Sequence, residues 1–105
     1  MVARGEVWLV TLDPSVGSEI RKTRPCLIVS PPEMHDYLGT VIVAPMTTGA
    51  KPAPYRIAVT LYGKRGRILL DQVRTLDKVR LVKRLGNISS TVLASTLKTL
   101  QQVFA

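Results

Sequence analysis

Apolar positions come in short runs broken by proline, glycine and charge, which is the pattern of a small sheet. Gly5 to Leu12 is rich in β-formers and alternates imperfectly, predicting a first strand that stops at Asp13-Pro14. From there to Thr23 the chain is polar and aperiodic and reads as a long exposed loop. Arg24-Pro25 leads into a second strand, Cys26 to Ser30, which Pro31-Pro32 ends, and Glu33 to Leu38 reads as one helical turn or a loop. Val41 to Thr47 predicts a third strand, with Pro45 implying an edge or a bulge. After a loop from Thr48 to Pro54, Tyr55 to Leu61 alternates cleanly as strand four. Gly63 to Gly66 reads as a turn, Arg67 to Leu70 as strand five, and Gln72 to Leu76 as its continuation or restart.

The chain's last segment changes period. Leu93, Leu97, Leu100 and Phe104 are spaced as one helical stripe, with Ser89 or Ser90 placed to cap a helix from Ser90 to Phe104. Five or more short strands and one terminal helix predict a mainly β (α+β) protein, a curled sheet or barrel with a helix packed on it.

The 105 residues fit one domain, 1–105, and 46% apolar with 21% charged residues excludes disorder. No apolar run approaches the length of a membrane helix, and the N-terminus carries no apolar signal core, so a cytoplasmic protein without membrane contact is expected. Cys26, the only cysteine, excludes an internal disulfide and a cysteine-based metal site, and it reads as a core residue. His35, the only histidine, falls in a presumed loop and reads as a surface residue, which excludes a two-histidine nuclease. No phosphate-binding glycine loop of the nucleotide-hydrolase kind occurs, so no cofactor or metal is expected.

Charge changes the picture more. The formal net charge is +8, and the second half carries eleven of the fifteen basic residues but two of the seven acidic ones. Such a half attracts polyanions, and with few aromatics for base stacking the contact would be made through phosphates. Solubility alone would also explain a basic balance.

Three clusters carry candidate chemistry. Gly17-Ser18-Glu19-Ile20-Arg21-Lys22-Thr23-Arg24-Pro25 holds an acid, three bases and two hydroxyls, a composition that a solvated loop shares. Within it, Arg24 stands before a proline that restricts its backbone, so its guanidinium fork has a fixed direction suited to a phosphate. Thr47-Thr48-Gly49 places hydroxyls at a strand end, where they would either bind a phosphate oxygen or cap a turn. Asp71-Gln72-Val73-Arg74 follows an apolar run, so Asp71 reads either as a structural acceptor or as a functional carboxylate.

Taken in order, Arg4 to Val10, Leu12-Asp13-Pro14, Gly17-Ser18-Glu19, Arg24-Pro25, Val43 to Gly49 and Asp71 to Asp77 resemble the MazF/PemK family of toxin endoribonucleases of type II toxin–antitoxin systems. The resemblance runs from about residue 4 to the end. It implies an SH3-like barrel of five to seven strands with a C-terminal helix, of the CcdB/MazF kind, acting as a homodimer. It further implies metal-independent cleavage of single-stranded RNA, in which the 2′-hydroxyl attacks its own 3′-phosphate, and inhibition by a cognate antitoxin in the same groove. By resemblance Arg24 and Thr47 are the catalytic pair, and Gly17-Ser18-Glu19 borders the RNA. Glu19 is the candidate proton acceptor, and Ser18, Thr48, Asp71, Gln72 and Arg74 are candidate RNA contacts. One branch of the family has histidine where this chain has Ser18 and arginine where it has Leu69, so a His–Arg–Asp mechanism is excluded here. Three other readings compete: a basic barrel that binds nucleic acid without cutting it, a CcdB-like gyrase poison, and a degenerate family member kept as a regulator.

Overall fold

The computed structural model describes residues 2–105. Its elements are β1 (Glu6–Thr11), β2 (Thr23–Ile28), α1 (Pro32–Tyr37), β3 (Thr40–Thr47), β4 (Arg56–Leu61), β5 (Lys64–Leu69), β6 (Arg74–Asp77), β7 (Leu81–Asn87) and α2 (Ser90–Val103). Short 3-10 turns at Leu70–Gln72 and Lys78–Arg80 flank β6. The strands form one antiparallel sheet in the order β4-β5-β3-β2-β1-β7, with β6 also on β3. β3 pairs with β6 over Thr40 to Val43 and with β5 at Met46 and Thr47, so its two halves serve two arms of a curled sheet.

Curling buries both sides of the central strands. One cluster gathers Val7, Leu27, Ala44, Met46, Ile68 and Leu70, and the other Val10, Cys26, Ile28, Val41, Val43 and Leu76. Alternating side-chain direction sorts β2 and β3 residues between them. The helix α2 covers the first cluster with Val92 and Leu100, and Ser89 caps it by accepting the Val92 N–H at 3.2 Å. Thr96 lies fully buried on that side, its hydroxyl donating to the Val92 carbonyl at 2.8 Å.

Both prolines fit the ladder for a physical reason. The Val29 N–H donates to Ile42 across the β2–β3 pair, so alternation points the main-chain nitrogens of residues 27 and 25 the same way. Pro25 has no hydrogen to give, and the β2–β3 register ends at Cys26↔Pro45. Pro45 faces the opposite edge of β3, between the residues paired to β6 and those paired to β5, so it interrupts neither partner.

Several expectations are corrected. The turn expected at Gly63 to Gly66 is only Tyr62-Gly63, with φ of 51° and 75°, a two-residue hairpin that lets β5 begin at Lys64. The strand β7 was not expected, because Lys83, Arg84 and Gly86 hide its pattern. Phe104 is 74% exposed, so the buried line of α2 runs through Val92, Thr96 and Leu100 instead. His35 is buried in α1 rather than at the surface, its ring held between the Val2 carbonyl at 3.0 Å and the Ser30 hydroxyl at 2.6 Å.

Candidate active site

The site lies where β2 and β3 part. Continuing the Cys26↔Pro45 register by two residues brings Arg24 opposite Thr47 on the same face of the sheet. Pro25 prevents the strands from closing by hydrogen bonds there, and a cavity of about 280 Å³ opens among Arg24, Pro25, Thr47, Thr48, Tyr62, Lys64 and Arg67. Arg24 and Thr47, nominated from distant parts of the chain, therefore line one cavity.

Each is held by the backbone. The Arg24 Nε donates to the Arg21 carbonyl at 3.0 Å, and among the described residues no hydrogen bond engages its terminal amino groups. Thr47 Oγ1 accepts the Gly49 N–H at 3.3 Å, which leaves its own hydrogen available to donate. Across β3, Thr47 pairs with Arg67 of β5. Gly66 makes that approach fit, since a Cβ there would stand 2.8 Å from the Thr47 carbonyl oxygen. Sequence reasoning assigned Gly66 to a turn and overlooked Tyr62, Lys64 and Arg67. A charge-bearing hairpin after a clean alternating strand was the available signal.

The cavity opens into a trough of about 710 Å³ that shares Thr48, Val59, Leu61, Gly66 and Arg67 with it. Arg65 and the start of α2 at Ser89 line its far part. Cations and hydroxyls over an apolar floor suit a phosphodiester strand.

Four of the remaining nominated residues, Glu19, Asp71, Gln72 and Arg74, form a second group. Glu19, Ile20, Asp71, Gln72, Val73 and Arg74 line a separate cavity of about 210 Å³. Glu19 accepts the Val16 N–H within its own loop, and neither it nor the exposed Gly17 and Ser18 lines the Arg24–Thr47 cavity. Asp71 takes the Arg56 guanidinium on both oxygens, at 3.1 and 2.9 Å, and that pair holds its carboxyl below the usual carboxylate range. Arg74 donates to the Leu12 carbonyl at 3.3 Å, and Gln72 accepts the Ile20 N–H at 2.8 Å. Cys26 is fully buried beneath the site, and burial pushes its thiol up to about 12.

A small basic half-barrel with an arginine and a threonine converging where two strands part defines a protein equipped to hold phosphodiesters. Residues 3–104 match the family described as PemK-like, MazF-like toxin of type II toxin-antitoxin system, and the chain belongs to that family. It is 38% identical over 106 residues to the endoribonuclease PemK of Escherichia coli, covering 95% of this chain and 80% of that protein. Its fold superposes on MazF from Deinococcus radiodurans with a TM-score of 0.86 at 27% identity, covering 98% of this chain and 96% of the other. It also shares the fold of a mycobacterial endoribonuclease solved in complex with its cognate antitoxin, with a TM-score of 0.82 at 22% identity and coverage of 99% and 95%. Among the described residues, no helix is long and apolar enough to cross a membrane.

Proposed function

We propose that this protein is an endoribonuclease toxin that cleaves single-stranded RNA by transesterification and is neutralised by a cognate antitoxin. The observation that carries the reading is the convergence of Arg24 and Thr47 on one cavity that opens into a cationic trough. Family membership and the relative named an endoribonuclease support it.

Arg24 clamps the scissile phosphate with its unengaged amino groups, and the Thr47 hydroxyl donates to a second oxygen. The substrate's 2′-oxygen attacks phosphorus, forming the P–O2′ bond as P–O5′ breaks. The 2′-proton leaves to an acceptor and the 5′-oxygen gains a proton, giving a cyclic phosphate and a 5′-hydroxyl. Negative charge rises on the phosphoryl oxygens in the transition state, where fixed donors act most strongly; one such donor is worth about 3–4 kcal/mol of barrier. No metal is assigned a role in these steps. The separate cavity lined by Glu19, Asp71 and Arg74 receives a flanking nucleotide. The active species is a homodimer working in the cytoplasm, and exposed Val79, Val82 and Phe104 are apolar surface available to a second copy.

The test is to incubate the protein with a long RNA in EDTA and map the ends. Cleavage at recurring short motifs, with cyclic phosphate and 5′-hydroxyl ends, is expected. Binding without fragments would replace this reading with a non-cutting nucleic-acid module.

A further inference from the structure

We propose that Gln72 is a positioning residue for Arg24, acting through the backbone of Ile20 and Arg21; this rests on the reading of Arg24 as the phosphate clamp. The loop between β1 and β2 is fastened firmly at its base. Arg80 donates to the Thr11 and Asp13 carbonyls at 3.2 and 2.8 Å, and Arg74 donates to the Leu12 carbonyl. Farther out, its hydrogen bonds are local, such as Ser15 Oγ to the Ile20 carbonyl at 3.1 Å. The exception is the Ile20 N–H, which donates to Gln72 Oε1 at 2.8 Å from an element 52 residues away.

One residue beyond that tether, the Arg21 carbonyl accepts the Arg24 Nε–H at 3.0 Å. A guanidinium is planar, so fixing Nε against an anchored carbonyl fixes the plane in which both terminal amino groups lie. Gln72 itself sits in the 3-10 turn Leu70–Gln72, beside Asp71 in its two-bonded pair with Arg56. The line Gln72, Ile20, Arg21, Arg24 thus runs from a braced turn to the site cavity. This bond takes up Gln72 Oε1 and leaves the Gln72 amide hydrogens for the expected RNA contact.

Two variants separate the roles. Gln72→Glu keeps an oxygen acceptor of the same reach, and Gln72→Leu removes it at similar volume. In the free protein, NMR follows solvent exchange of the Ile20 amide and the Arg24 Nε–H. With RNA carrying a mapped cleavage site, kcat and KM are measured. We expect Gln72→Leu to speed exchange at both hydrogens and lower kcat about five- to tenfold with KM within about twofold, the scale of one hydrogen bond. Gln72→Glu should restore protection and most of the rate. If Gln72→Leu unfolds, Gln72→Met carries the same expectations. Unchanged protection at Ile20 and Arg24 in the Leu or Met variant overturns the proposal. So does a Glu variant as slow as the Leu variant with protection intact, because the amide hydrogens of Gln72 would then be touching RNA. If the wild type cuts no RNA, the phosphate-clamp reading is what fails, and the exchange data still decide the tether.

Discussion

Arg24 stands near the start of β2, just after the β1–β2 loop, half-buried, with its Nε committed to the Arg21 carbonyl and its side chain lining the site cavity. In the proposed reaction its task is electrostatic rather than structural. Arg24→Ala is expected to cut the rate of RNA cleavage at least about 100-fold while leaving the melting curve nearly unchanged, read by fragment assays beside thermal unfolding. Gly66 is the reverse case, a residue without a side chain on which the geometry of Thr47 depends. Gly66→Ala forces a carbon against the Thr47 carbonyl oxygen, so it should cost about 1–3 kcal/mol of stability and lower activity as well. Calorimetry and cleavage rates on one preparation check both. Cys26 is expected to resist alkylation until denaturant unfolds the chain, followed by mass spectrometry. Its thiol is raised from 9.0 to about 12, so the neutral form is favoured in the fold. That contribution to stability is complete below about pH 9 and is lost as pH rises towards 12.

At the scale of elements, the ends of strands and helices decide the architecture of the site. β2 and β3 pair up to Cys26↔Pro45 and then separate, because the next main-chain group facing β3 belongs to Pro25. The β4–β5 hairpin closes the other wall through a two-residue turn, and the Tyr62 hydroxyl donates to the Leu85 carbonyl of β7 across the open side of the barrel. The helix α2 starts at a serine cap over the trough. Ser89→Ala should destabilise the protein by about 1 kcal/mol, a fall in Tm of about 4–8 °C in a scanning experiment, through loss of the bond to the Val92 N–H. The Asp71–Arg56 pair joins the turn after β5 to β4, and its lowered carboxyl pKa fixes the sign of its pH effect. The stability it contributes is present above the ordinary carboxylate range and is withdrawn as pH falls through it, so Asp71→Asn should flatten the acid limb of the stability profile.

Over the whole molecule, charge and curvature act together. The net charge is +8, and six of the eleven basic residues of the second half lie on β4, β5 and β7. RNA affinity should therefore weaken about tenfold or more between roughly 50 and 200 mM salt if about three phosphates are neutralised, measured by a binding titration.

Much of this was legible along the chain. Five strands, the terminal helix and its Ser89 cap follow from period and from turn chemistry, because those depend on neighbours in sequence. Arg24 and Thr47 were each marked by a local feature, a following proline and a strand end. The strand β7 was not legible, since Lys83 and Arg84 are stabilised only by lying against β1, where Arg84 also pairs with Glu6 at 2.8 Å. His35 was misplaced because its partners, Ser30 and the Val2 carbonyl, stand on other elements.

The sequence by itself determined a basic, mainly β chain with a fixed guanidinium and a pair of terminal threonines, because backbone preference, burial period and charge are local quantities. Only the tertiary structure decided that those groups share a cavity while Glu19 and Asp71 line another, that Gly66 packs against the Thr47 carbonyl, and that Gln72 accepts the Ile20 N–H. These are facts of antiparallel register and strand separation, which bring together residues that no spacing along the chain relates.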